Sequence, residues 1–185
     1  VTFTALQAGL LFDDKMNTES IIKLTEKLKF EFKLLNQHCN LFVNGVNIEK
    51  EIKSPEVSDL VSQVSTIFEV RKKIVKIQRD MGIEKGIVME GRDIGSVVFP
   101  SAELKLFITA DINIRAERRY KELKANNQSV TKQSVLENLK KRDFIDKNRE
   151  HSPLIKVHDA ILIDNSHLNI SDQISLIINY LKKNL

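Results

Sequence analysis

Arginine and aspartate side chains set at the mouth of a strand-like segment are the residues of this 185-residue sequence best placed to do chemistry. Gly86-Ile87-Val88-Met89-Glu90 reads as a buried strand, and Gly91-Arg92-Asp93-Ile94-Gly95 follows it as a glycine turn carrying one guanidinium and one carboxylate. In an open parallel sheet, ligands bind beyond the carboxyl ends of the strands. A guanidinium there suits phosphate, which its planar fork grips through two parallel hydrogen bonds. The neighbouring carboxylate accepts hydrogen bonds of the kind a sugar hydroxyl or an exocyclic amine supplies. The pair reads as a nucleotide site, although an ordinary surface ion pair after a strand has the same sequence.

A second group lies downstream. Arg142, Asp146 and Arg149 stand at i, i+4 and i+7 and so share a helical face. An exposed ladder of ion pairs has that spacing too, and is worth little. Arg115, Arg118 and Arg119 favour a different reading. They sit on the helix leading into the polar stretch Lys124-Ala125-Asn126-Asn127-Gln128-Ser129, and Arg142 and Arg149 sit on the helix leading out. Two arginine-bearing helices joined by a mobile polar loop make a lid over a polyphosphate. Phosphoryl transfer asks little of side chains beyond positioning and charge neutralisation, and a closing lid also excludes water. Arg71 heads a third basic run, with Lys72, Lys73, Lys76 and Arg79, whose lysines read as a solvated helix face.

The elements that must hold these residues follow from periodicity. Residues 2–12 read as one apolar helix, and Asn17 or Thr18 caps another over about 19–27. Leu28, Phe30 and Phe32 then alternate with Lys29, Glu31 and Lys33, the period of a half-solvated strand. Asn44-Gly45 flanked by Leu41-Phe42-Val43 and Val46-Asn47-Ile48 is a hairpin signal, and a third short strand runs toward Ile52. Helical spacing covers 55–81 and stops at Gly82. Core strands are expected at 86–90, 104–110 (partly buried on both faces) and 160–163. They alternate with helices from Asp111 to about Leu123, from Thr131 toward Glu150, and from a Ser171 cap through Lys183. Strands alternating with helices of this length indicate an α/β fold with a parallel sheet.

Composition sets outer bounds. The chain has 42% hydrophobic residues, enough for one core and a small appended lobe, and a net charge of +4 from 29 basic and 25 acidic residues. Such interspersed charge is mostly a solvated surface. The single cysteine, Cys39, excludes an internal disulfide and reads as a small buried thiol. His38, His151, His158 and His167 lack metal-ligand or nucleophile spacing, and no metal site is expected from them. With neither a long apolar run nor a signal peptide, the expectation is a soluble, cytoplasmic, monomeric protein that binds no membrane. A rival reading is a non-catalytic basic module binding nucleic acid through the helix from Arg71 to Arg79. Against it, the sequence has two tyrosines, no tryptophan and no recognised nucleic-acid motif.

Three runs carry a family resemblance. Gly91-Arg92-Asp93-Ile94-Gly95-Ser96-Val97-Val98-Phe99-Pro100 closely resembles the signature of bacterial cytidylate kinases. Arg142-Asp143-Phe144-Ile145-Asp146-Lys147-Asn148-Arg149 is similar to the family's second arginine-aspartate cluster, and Ser62-Gln63-Val64 followed by Arg71 matches a third element. The resemblance covers essentially the whole chain. It implies a P-loop kinase-type parallel sheet flanked by helices, with a small antiparallel β insert in the monophosphate-binding lobe and a helical lid. The implied division is 1–27 as core helices, 28–82 as the monophosphate-binding lobe, and 83–185 as core sheet and helices with the lid at about 112–150. The implied reaction moves the γ-phosphoryl group of ATP, with Mg²⁺, to CMP or dCMP, without nucleic acid as a partner. By the same resemblance Ser62 bonds the cytosine and Arg71 the acceptor phosphate. Arg92 and Asp93 bind the acceptor, Arg142 holds base or phosphate, and Asp146 and Arg149 hold sugar and phosphate. Arg92, Asp93, Arg115, Arg118 and Arg149 are the implied catalytic set. Glu90 departs from the family's aspartate, moving the charge by about a bond length, which leaves open a role in holding a magnesium-bound water.

The phosphate-cradling Gly-x-x-x-x-Gly-Lys-Ser/Thr loop of that fold class does not occur in the sequence. Because the chain starts at Val1 within an apolar stretch, the expectation is a fragment with a strand, loop and helix of roughly 30 to 40 residues upstream. Such a fragment would be inactive by itself. Strands 86–90 and 104–110 would then flank one empty position of a five-stranded sheet, roughly 9.5 Å apart.

Overall fold

Asn17 shows how local chemistry sets the first elements. Its side chain accepts the Ser20 N–H at 3.1 Å and so starts α2, Thr18–Lys27. The computed structural model describes residues 1–12, 15–35 and 37–184, which form two compact units, Val1–Ile77 and Gln78–Leu185.

In the first unit, α1 spans only Thr2–Gln7. The single helix expected over 2–12 ends early because Gly9 takes φ +63°, a left-handed conformation that costs glycine no steric strain. The chain then enters β1 (Leu11–Phe12), paired antiparallel with β2 (Lys15–Met16). Ala5, Leu11, Ile21, Val64, Ile67 and Val70 form one apolar cluster. β3 (Phe30–Leu35), β4 (His38–Val43) and β5 (Val46–Asn47) form an antiparallel sheet in that order. Asn44 and Gly45, at φ 50° and 82°, make the tight hairpin between β4 and β5. The strand expected to reach Ile52 ends at Asn47, and a 3₁₀ turn, Glu51–Lys53, takes its place. Cys39 is exposed rather than buried. It pairs with Leu34, itself exposed, on this single-layer sheet.

The helical stretch 55–81 is two helices, α3 (Pro55–Val64) and α4 (Phe68–Met81). The break has a local cause. Ser65 Oγ donates to the Ser62 carbonyl and Thr66 Oγ1 to the Gln63 carbonyl, both at 2.7 Å, so hydroxyls compete with the helix for its last acceptors.

The second unit departs from expectation at 86–90. No strand forms there: Val88 is 100% exposed, Ile87 is exposed, and the segment makes no ladder with 104–110 among the described residues. An apolar alternation marks a strand only where a neighbour supplies backbone partners. The separation expected between two strands therefore has only one strand to apply to. A π-helical turn, Ile94–Val98, follows the Gly91-Arg92-Asp93 bend. β6 (Leu106–Thr109) is shorter than expected, with Ile108 exposed, and pairs parallel with β7 (Ile161–Asp164) in the register Leu106–Ile161 to Thr109–Asp164. Between them lie α5 (Ile112–Ala125) and α6 (Lys132–Asn148), which pack against each other. Asp111 caps α5, and Thr131 with Ser134 forms a reciprocal capping box on α6. The closing helix α7 (Ile170–Asn184) is capped by Asn169 rather than Ser171: its side chain accepts the Asp172 N–H at 2.8 Å.

Candidate functional site

Gly91 makes the bend that carries Arg92 and Asp93 possible, since a Cβ on it would lie 2.9 Å from the Ile94 side chain. The Asp93 carbonyl then accepts from both Val97 N–H (2.8 Å) and Val98 N–H (3.2 Å), and Ile94 accepts from Phe99 N–H at 2.7 Å. These widened bonds define the π turn, a form frequent at functional sites. Arg79, the last cation of the basic run that Arg71 heads, braces this turn. Its Nε donates to the Val98 carbonyl at 3.1 Å and its Nη2 to the Val97 carbonyl at 2.6 Å. Asp93 is only 2% exposed. It is therefore not half of a surface ion pair.

Arg92 turns toward α6. Its Nε lies 3.2 Å from Asp146 Oδ2, and its Nη1 lies 3.6 Å from Asp143 Oδ1. Asp146 also faces Arg149, whose Nη1 is 3.5 Å from Asp146 Oδ1. Arg149 sits just past the end of α6 and donates from Nε to the Ser152 carbonyl at 2.6 Å. Leu154 N–H closes the same loop onto the Asp146 carbonyl at 2.7 Å. With Asp146 3% and Arg149 7% exposed, the exposed-ladder reading of this face is wrong. Burial lowers the Arg149 guanidinium below its usual range, partly offset by Asp146 and reinforced by Arg92. Arg142 is likewise lowered, first by burial and then by the charges of Arg92 and Arg119, with Asp146 and Asp143 opposing. Arg92, Arg142 and Arg149 thus crowd together as cations around the two carboxylates.

Arg115 joins them from α5, pairing through Nη2 and Nη1 with the two oxygens of Asp143. Burial works to raise the Asp143 carboxyl, but the Arg115 hydrogen bond and charge, with Arg92 and Lys147, hold it below the ordinary aspartate range. Sequence reasoning did not single out Asp143 as a site residue. The signal was its i, i+3 spacing from Asp146, which puts two carboxylates on one face of α6. Arg118 is not part of this cluster of contacts. It is pinned to β7's exit, donating to Asn165 Oδ1 (3.0 Å) and the Asn165 carbonyl (2.7 Å). There it lines an open depression of about 540 Å³ with Asn113, Lys121, Lys132 and Ser166. Arg119 pairs with Glu122 at 2.8 Å. Ser62, 3% exposed on α3, and Arg71 on α4 belong to the first unit. Glu90 is exposed. Among the described residues no group of three or more His, Cys, Asp or Glu side chains is arranged to hold a metal ion.

Half-buried Arg92, Arg115 and Arg142 and buried Arg149 thus gather on α5, α6 and the 91–95 turn with fewer carboxylates, in an α/β unit with a parallel strand pair. Comparison with known proteins gives the family. The cytidylate kinase family model matches residues 1–183. The cytidylate kinase of Flavobacterium psychrophilum is 47% identical over 181 residues, covering 97% of this chain and 80% of that protein. Those of Flavobacterium johnsoniae and Bacteroides fragilis are 44% and 46% identical, covering 96% and 94% of this chain and 78% and 76% of theirs. The chain belongs to the cytidylate kinase family, nucleoside monophosphate kinases of the P-loop kinase fold.

Proposed function

We propose that this chain carries the acceptor-binding and lid residues of an enzyme that transfers the γ-phosphoryl group of ATP to CMP or dCMP. The products are ADP and CDP or dCDP, and Mg²⁺ arrives with the ATP as part of that substrate. The observation that supports this reading most is the convergence of Arg92, Arg115 and Arg149 on Asp143 and Asp146, with Arg142 on the same helix near enough to feel both carboxylates. Cations in excess of carboxylates, partly withdrawn from water, have a favourable exchange available to them. A phosphate that enters takes guanidinium donors at low desolvation cost, because the burial has already been met in folding.

In this reading Arg92 and Arg149 grip the acceptor phosphate and sugar, Arg142 reaches the base or phosphate, and Asp93 and Asp146 accept from sugar hydroxyls. Arg71 joins the phosphate and Ser62 the cytosine. Arg115 and Arg118 neutralise charge on the transferring group from the lid side. The monophosphate-binding role falls to residues 28–82 and the lid to about 112–150, in a monomeric cytoplasmic enzyme.

The basic-module alternative draws its cations from α4. Arg79 spends its guanidinium on two backbone carbonyls, and Lys73 pairs with Glu26 at 3.1 Å, which favours the nucleotide reading. Because no Gly-x-x-x-x-Gly-Lys-Ser/Thr run occurs in the 185 residues, the decisive test is acceptor binding. Isothermal titration should show CMP bound more tightly than UMP and AMP, by about 1 to 3 kcal/mol against UMP, the cost of leaving buried polar groups unmatched. Equal affinities would remove the cytidylate assignment.

A further inference from the structure

We infer that Asp143 is a positioning residue of this site, orienting Arg92 for the acceptor phosphate while tying Arg115 of the lid helix to the same carboxylate. The inference rests on the acceptor-binding reading above and adds to it a residue and a job. A guanidinium held at one nitrogen swings about that contact. Held at two edges, its plane is fixed, and its remaining donors point one way. Arg92 faces a carboxylate at each of two edges, with Nε 3.2 Å from Asp146 Oδ2 and Nη1 3.6 Å from Asp143 Oδ1, both ion-pair contacts rather than hydrogen bonds. The carboxylates stand at i and i+3 on α6, so the helix itself sets their separation. Nη2 is the edge left for a ligand.

Asp143 also takes both Nη groups of Arg115. One carboxylate therefore joins a turn that carries an acceptor-side arginine to the helix that carries a lid arginine. A lid staple alone needs only the Arg115 pair. The Arg92 contact gives Asp143 its second role, and it makes the two arginines respond to the same anchor. Asp143 is no spectator at the surface, since its side chain is 18% exposed.

The test separates phosphate from nucleoside. Asp143→Asn keeps the shape but leaves one amide oxygen for two guanidinium groups. CMP affinity should fall about tenfold or more, the scale of a lost charged hydrogen bond, while cytidine affinity stays within about twofold. Asp143→Ser is read in parallel, so that a folding defect in one variant, checked by its urea midpoint, leaves the other. In the wild-type chain, nitrogen-15 NMR should show hindered rotation of the Arg92 guanidinium. An unchanged ratio of CMP to cytidine affinity overturns the inference. So does an equal loss for both ligands, which would mean a merely structural role, or a freely rotating Arg92 in the wild type. If the wild type binds CMP, UMP and AMP alike, the base assignment fails, yet each monophosphate-to-nucleoside ratio still judges Asp143. If the wild type shows no preference for monophosphate over nucleoside, the inference fails with it.

Discussion

Asp93 and Asp146 are as buried as the core valines, and a buried carboxylate is tolerated only when cations or donors face it. Asp146→Ala should therefore destabilise the fold by about 3 to 5 kcal/mol, because Arg92 and Arg149 lose a shared counter-charge in partly dry surroundings. Chemical denaturation reads this directly, and a loss under about 1 kcal/mol would mean the pair is effectively solvated. Asp93→Asn should weaken nucleotide binding by about 1.5 to 3 kcal/mol, the value of a charged hydrogen bond. Unchanged affinity on titration would show that the carboxylate has no ligand role. The types and spacing of Arg92, Asp93, Arg142, Asp146 and Arg149 were legible in the sequence. Their burial was not, since it depends on neighbours brought in from other elements. Asp143 was passed over for the same reason: its partners, Arg92 and Arg115, come from other elements.

The arginine–aspartate cluster gathers at helix ends, so element boundaries bear on it. Thr131 and Ser134 satisfy each other's backbone donors at the start of α6. Thr131→Ala should cost about 0.5 to 2 kcal/mol, seen as a lower urea midpoint. Between α5 and α6 the Asp143 clamp should be acid-sensitive. Its folded value lies below the ordinary 3.8, so the clamp contributes its full stability above that value and loses it as pH falls through the folded value. Wild type and Asp143→Asn should thus differ by a constant amount near neutral pH and converge in the acid limb, whereas a constant offset down to pH 2 would contradict the assignment. Caps and helical periods were readable because they are local: Asn17, Asp111 and Thr131 each cap as their sequence context implies. Segment 86–90 was misread because a strand is a relation between two chains of backbone groups. The split of 55–81 was hidden because Ser65 and Thr66 act through hydroxyl bonds that periodicity does not weigh.

At the scale of the molecule, a net charge of +4 invites polyanions, and salt dependence separates the two readings. Binding of a mononucleotide should weaken modestly between low and physiological salt, while binding to a nucleic acid lattice falls by orders of magnitude because many counterions are displaced. The fold class was legible from alternating strands and helices, and the family from three motifs. The central claim is that the arginine-aspartate cluster of α6 and the 91–95 turn receives the acceptor monophosphate. Its most direct test is an NMR titration of the chain with CMP, following arginine Nε–H and backbone resonances. Saturable shifts at Arg92, Asp93, Arg142, Asp146 and Arg149 are predicted. Shifts confined to the basic face around Lys72, Lys73 and Lys76, with that cluster unmoved, would contradict it.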